Sequence, residues 1–198
     1  GPGQALFDAL AAGLGELPII AEDLGVITPA VERLRDDNAL PGMKVLQFAF
    51  AGDAGDPYLP HNYPRNSVVY TGTHDNDTSA GWYAQAPAAE RDFVRRYLGR
   101  DDDNVPWEFI RLAVASVADM AIFPLQDALG LGSEARMNTP GQAAGNWSWR
   151  VTWDEVPPWL ADQLRDLARV YGRLPAGPAA DTPYRQSALP GEGGSGEG

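Results

Sequence analysis

Ile19–Gly25, reading IIAEDLG, and Thr71–Asp77, reading TGTHDND, decide how this chain is read. Each continues an apolar, strand-like stretch and ends abruptly in carboxylates, which is how a parallel α/β barrel delivers acidic side chains to the mouth of its sheet. Glu22 and Asp75 are therefore the residues to explain. Two carboxyl groups at the ends of different strands are the minimal apparatus for glycosidic-bond chemistry: one protonates a leaving oxygen, the other stabilises positive charge on the sugar.

Outward from these stretches, apolar strands alternate with helical patterns in the order of βα units. The expected strands are Leu17–Ala21, Lys44–Phe50, Ser67–Thr71 and Met120–Leu125, the last running into Gln126 and Asp127, which should reach the same rim. Four strands make half a barrel. Thr28-Pro29 reads as an N-cap followed by proline at the first helical position, with Val31 and Leu34 on one face of a short helix. Ala88–Leu98 reads as a helix burying Phe93, Val94, Tyr97 and Leu98 and stopping at Gly99; Pro106–Ala118 and Pro158–Tyr171 read as two more. Gly132–Arg150 is a long connection dense in Gly, Asn, Pro and Trp, and loops of that length tend to carry function. The chain thus divides into a half-barrel over 1–174 and a Pro/Gly-rich tail over 175–198, expected to be flexible.

Composition narrows the function classes. With 44% hydrophobic and 10% aromatic residues the 198-residue chain can bury a core, and it has no continuous apolar run long enough to span a bilayer. A complete (β/α)8 barrel usually needs about 250 residues, so the chain is short for one. The formal net charge of -12 argues against nucleic acid or an anionic membrane surface as partner, since both need clustered cations, and suits a neutral polyol better. The absence of cysteine excludes disulfides and thiolate metal sites, and no basic segment followed by an apolar core opens the chain, so the cytoplasm is the expected compartment.

IIAEDLGVITPAVERLRDDNALPGMKVLQFAF (19–50), LPHNYPRNSVVYTGTHDNDTSAGWY (59–83) and RMNTPGQAAGNWSWR (136–150), long and in order, resemble the C-terminal part of a bacterial 4-α-glucanotransferase, the amylomaltase or disproportionating enzyme of the α-amylase superfamily. The resemblance implies strands five to eight of a TIM barrel plus a C-terminal helix. It implies a retaining transferase that cuts an α-1,4 bond of a maltooligosaccharide and passes the glucosyl segment to another sugar. Matched residue by residue, Glu22 is the general acid/base, Asp75 the acid that stabilises the transition state, His74 a hydrogen-bond donor to the same sugar, and Asn146 a position touching oligosaccharide. Trp147 and Trp149 offer flat faces on which sugar rings stack. No metal or other cofactor is implied.

One departure matters. Family members carry a nucleophilic aspartate in an Arg-Ile-Asp-His-type motif upstream of the acid/base, and no such motif precedes Glu22 in these residues. A working enzyme would need the other half of the barrel; the alternative is an inactive half-barrel that self-associates through its open edges or binds glucan weakly. Plainer readings stand beside these. An acidic residue after a strand is more often a turn former than a catalyst. His74, Asp75 and Asp77 have oxygen and imidazole ligands at short spacing, but no further histidine lies near in sequence. Asp101, Asp102 and Asp103 are expected to cap the next helix, His61 to be structural, and Trp82, Trp107 and Trp159 to pack in core or interface. The opening GPG lacks the strand and third glycine of a dinucleotide fingerprint.

Overall fold

Three short runs of β-formers make a parallel sheet in the order β1 (Gly42–Val45), β2 (Ser67–Tyr70), β3 (Met120–Ile122). In this computed structural model residues 1–101 and 103–175 are described. The expected tail, apart from Pro175, lies outside the described residues, as does Asp102. The register pairs Met43 with Val68 and Val45 with Tyr70 across one boundary, and Val68 with Met120 and Tyr70 with Ile122 across the other. Side chains alternate between the two faces of a strand. Val69 and Ala121 accordingly point into a helical layer, while Tyr70 and Ile122 line the open opposite face.

The helices are α1 (Gln4–Leu14), α2 (Pro29–Asp37), α3 (Ser79–Gln85), α4 (Ala88–Leu98), α5 (Val105–Ala115), α6 (Leu125–Ala128) and α7 (Trp159–Val170). Among the described residues two cores hold α3 to α7, whereas α1 and α2 bury none of their residues. In the first, Phe50 lies against Phe109 with ring centroids 5.4 Å apart and meets Phe93 and Tyr97 edge-on at 5.9 Å, with Val69, Val94 and Trp82 around them. In the second, Ile110, Val114 and Ala128 pack against Leu160 and Leu167 of α7. The α4 expectation holds residue for residue, with Gly99 in the left-handed conformation (φ 67°) that stops a helix cheaply only at glycine. Trp82 and Trp107 pack in the two cores, and His61 ties its loop together through Tyr97 Oη (3.0 Å) and the Ala54 carbonyl (2.9 Å).

Several expectations need correction. Leu17–Ala21 is not a strand: only Ala21 pairs, donating to the Pro41 carbonyl and bridging Gly42, because Pro18 has no N–H to offer and no further strand among the described residues flanks the segment. The strand expected over Lys44–Phe50 ends at Val45 and turns into a 3-10 helix, Leu46–Phe48. β2 leaves the sheet after Tyr70, so beyond Val45 the backbone closes on itself, Ala49 N–H donating to Leu46 O. β3 likewise stops at Ile122, and Pro124 starts α6. The fourfold set of strands is therefore three strands and one bridge.

The helix caps differ too. Thr28 precedes α2 with extended backbone but makes no side-chain cap, and α5 is preceded by Asn104 rather than capped by Asp101 or Asp103. The short α3, with Thr78 Oγ1 accepting from Gly81 N–H at 3.0 Å, had no counterpart in the periodicity, since seven residues hold less than two turns of pattern. Among the described residues no helix is long and apolar enough to cross a membrane.

Candidate active site

The open face of the sheet forms the floor of a cavity of about 790 Å³, lined by Glu22, Tyr70, His74, Asp75, Ile122 and Trp147 among others. Glu22 enters from the segment that bridges β1. Its neighbour Asp23 points the other way and is buried. Asp23 Oδ2 receives Arg35 Nη1 at 2.5 Å, and Oδ1 receives the Met43 N–H at 2.7 Å. The two adjacent carboxylates thus have different duties: Asp23 anchors the segment to α2 and β1, and that anchoring turns Glu22 towards the cavity. Burial, and secondly the negative charge of Glu22, push the Tyr70 hydroxyl above the ordinary tyrosine range, so Tyr70 stays protonated beside it.

His74 and Asp75 sit on the turn that follows β2. Asn76 builds that turn: its Oδ1 accepts from Thr73 N–H and from Thr73 Oγ1, both at 2.9 Å. Side chains further along the chain then grip it. Asn138 Nδ2 donates to Asp75 Oδ1 at 2.6 Å, Arg136 Nη2 donates to the Asp75 carbonyl at 2.7 Å, and His74 Nε2 lies 3.3 Å from Asp75 Oδ1. The Asp75 carboxylate therefore keeps a fixed position while remaining about half exposed to the cavity. Gly72 lies where an added Cβ would stand 2.6 Å from Gln47 Nε2, so only glycine lets that amide reach the Asp77 carbonyl at 2.9 Å.

Trp147 lies against His74, ring centroids 5.1 Å apart. Its backbone is left-handed (φ 60°), an uncommon conformation for a bulky residue, and its N–H donates to Met137 O at 2.7 Å. More than half of its surface is exposed. Asn146 does not line the cavity. Its side-chain amide bends the 139–146 loop, accepting from Thr139 N–H at 2.9 Å and donating to Gln142 O at 3.0 Å. Trp149 is likewise off the cavity wall. Asp77 turns away from His74 to accept from Ser133 Oγ (2.6 Å) and Gln85 Nε2 (3.1 Å). Among the described residues no three His, Cys, Asp or Glu side chains converge as metal ligands.

Of the two polar residues expected at the rim from the tip of β3, Gln126 lines the cavity and Asp127 does not. Asp127 is fully buried, accepting from Thr71 Oγ1 (2.5 Å), Ser79 N–H (2.7 Å) and Ser79 Oγ (2.8 Å). Arg136, Asn138 and Tyr70 are the site residues that the residue types alone did not single out. The signal for the first two was an arginine and an asparagine in RMN, just ahead of the long loop; for Tyr70, its place one residue before the turn.

Comparison with known proteins identifies the family. A family model described as 4-alpha-glucanotransferase matches residues 1–155. A 4-alpha-glucanotransferase of Synechocystis is 55% identical over 175 residues, covering 87% of this chain and 35% of its own length. One from Thermus thermophilus is 52% identical over 181 residues, covering 87% and 36%. Among solved structures, an amylomaltase from Streptococcus agalactiae in complex with acarbose superposes with TM-score 0.83 at 34% identity, covering 87% of this chain and 35% of that one. The chain spans about a third of the length of the curated relatives it matches, and it belongs to the 4-alpha-glucanotransferase family.

Proposed function

We propose that the chain is the C-terminal half of a (β/α)8 glucanotransferase barrel and contributes the acid/base and one stabilising carboxylate to transfer of α-1,4-glucan segments between maltooligosaccharides. The observation that carries this is the convergence of Glu22, from the bridging segment, with His74 and Asp75, from the turn after β2, in one open cavity roofed by Trp147. In this reading Glu22 protonates the glycosidic oxygen and then deprotonates the incoming hydroxyl, while Asp75 stays ionised and holds sugar hydroxyls as the ring flattens towards an oxocarbenium ion. His74 donates to the same sugar, Trp147 stacks on a ring, and Asn146 shapes the loop that presents Trp147. The carboxylate nucleophile comes from outside these residues. Residues 1–174 act as one catalytic half-barrel, in the cytoplasm.

The open face of the sheet supports the half-barrel reading. Met120, Ile122 and Ile20 leave about 40% of their surface in water there, which a closed barrel would cover. The same exposure favours a second reading, in which copies of this chain pair through that face. Sedimentation of the 198-residue chain separates the two: a stable dimer supports self-pairing, and a monomer that binds the complementary N-terminal region supports the half-barrel. In a chain completed by that region, Glu22→Gln should lower disproportionation of maltotriose by about 10²–10⁴-fold with affinity nearly unchanged, since glutamine keeps shape but cannot donate the proton. Near-normal turnover would remove Glu22 from the mechanism.

A further inference from the structure

The turn that carries His74 and Asp75 is nine residues long from Thr71 to Ser79, and both of its ends are fastened to one side chain. Thr71 Oγ1, at the exit from β2, donates to Asp127 Oδ2; Ser79, the first residue of α3, donates to both Asp127 oxygens through its N–H and its hydroxyl. We propose that Asp127 is a positioning residue that sets the span of this turn and thereby the placement of His74 and Asp75 against Glu22.

Three further observations support the role. Thr71, Ser79 and Asp127 are each fully buried, so water does not share the clamp. A carboxyl in such a place is expensive compared with an apolar filler of similar size, and burial, resisted by the bonds from Thr71 and Ser79, pushes it above the ordinary carboxylate range. An apolar residue would avoid that cost but would leave the buried Ser79 N–H without an acceptor; what the polar group adds is a defined geometry. The rest of the turn is fixed relative to the same clamp: Asp77 is held by Ser133 and Gln85, and Asp75 by Asn138 and Arg136. With its base loosened, those outer contacts would hold a turn that no longer points its carboxylate consistently.

The clamp needs acceptors and donors, not charge. In Asp127→Asn the carbonyl oxygen can still accept from Ser79 N–H, and the amide can donate to either hydroxyl, because hydroxyls also accept. In Asp127→Ala both ends are freed. The two variants thus separate positioning from ionisation.

The chain contains two histidines, so imidazole NMR signals give a direct readout, with His61, held by Tyr97 and Ala54, as internal control. In the full 198-residue chain, Asp127→Ala should shift the His74 ring resonances and leave those of His61 in place, while Asp127→Asn should keep both near wild type. The binding readout rests on the glucanotransferase reading: maltotriose affinity should fall about tenfold in Asp127→Ala and less than about twofold in Asp127→Asn, as expected for losing or keeping buried hydrogen bonds. If Asp127→Ala does not fold, Thr71→Val and Ser79→Ala each release one end, and each should move His74. Unmoved His74 signals in a folded Asp127→Ala, or in both single-end variants, would overturn the proposal. If wild type shows no maltotriose binding either alone or completed by the N-terminal region, the glucan reading fails, and the His74 shifts still decide the positioning role.

Discussion

Gly42→Ala provides a test in which two physical effects have opposite signs. Gly42 opens β1, pairs with Ser67 and bridges Ala21, and its φ is not positive, so alanine meets no backbone strain there. Restricting the unfolded chain would by itself stabilise the variant by about 0.4–1 kcal/mol. The structure predicts the reverse. A Cβ at this position would stand 3.0 Å from Asp23 Cγ and 3.1 Å from Oδ1, with Oδ2 closer still. Asp23 cannot step aside cheaply, since Arg35 holds one oxygen and the Met43 N–H the other in a site only 8% exposed. Either the carboxylate moves and strands a buried donor, costing about 1–3 kcal/mol, or β1 shifts, at a similar overpacking cost of about 1–3 kcal/mol. After the opposing stabilisation is subtracted, the net expectation is a loss of about 1.3 kcal/mol, which at a urea slope of about 2 kcal/mol/M lowers the unfolding midpoint by about 0.7 M. Tryptophan fluorescence during urea titration measures it, with an unchanged slope indicating that the unfolded state is not the cause. Adding Asp23→Ala should recover about 1 kcal/mol of the sum of the single costs, because the colliding group is gone. An unchanged or higher midpoint for Gly42→Ala would refute the claim that Asp23 is rigidly held, and with it the account of why Glu22 faces the cavity.

Arg173→Ala should destabilise by about 1–3 kcal/mol, because its guanidinium donates to the carbonyls of Val114 (2.6 Å), Ala118 (2.9 Å) and Ser116 (3.0 Å) at the end of α5. Arg173→Lys should recover less than half of the lost melting temperature, since one ammonium cannot span the three. Asp127 provides a pH test: burial raises its folded value above the unfolded one, so its contribution favours the fold at low pH and is lost as pH climbs through the folded value. Asp127→Asn should therefore gain stability relative to wild type as pH rises above the ordinary carboxylate range, and a gap running the other way would mean that the hydrogen bonds to the ionised carboxylate outweigh its desolvation. The 198-residue chain alone should transfer no glucosyl units, because retaining chemistry needs a nucleophilic carboxylate about 5–5.5 Å from the acid/base. Asp23, the neighbour of Glu22, is committed to Arg35 and cannot supply it. Glucose and longer maltooligosaccharides appearing from maltotriose, in proportion to chain and lost in Glu22→Gln, would contradict this.

Much of the helical layer was legible in the residues. α4 and α7 could be placed because they contain three turns of apolar spacing and end at glycines, Gly99 and Gly172, in the left-handed conformation. The strands could be located but not measured. The expected Ser67–Thr71 exceeds β2 by one residue only, because β2 is the central strand and finds partners on both sides. Leu17–Ala21 and Lys44–Phe50 were over-extended because a strand's length depends on where its neighbour leaves the sheet, and Tyr70 is where β2 leaves.

By itself the sequence determined the buried faces of α4 and α7, the order of the βα units, the family motifs and the two acidic stretches, because each of these is written in residues near one another along the chain. Only the tertiary structure decided which carboxylates face the cavity. Glu22 and Asp23 differ in fate because Arg35 and the Met43 N–H claim one of them. Asp75 and Asp127 differ because Asn138, 63 residues on from Asp75, steadies an exposed carboxylate, whereas Thr71, 56 residues before Asp127, helps enclose a buried one. Local residue preferences act over a few positions, whereas burial and hydrogen-bond partnership depend on segments that meet only when the chain has folded.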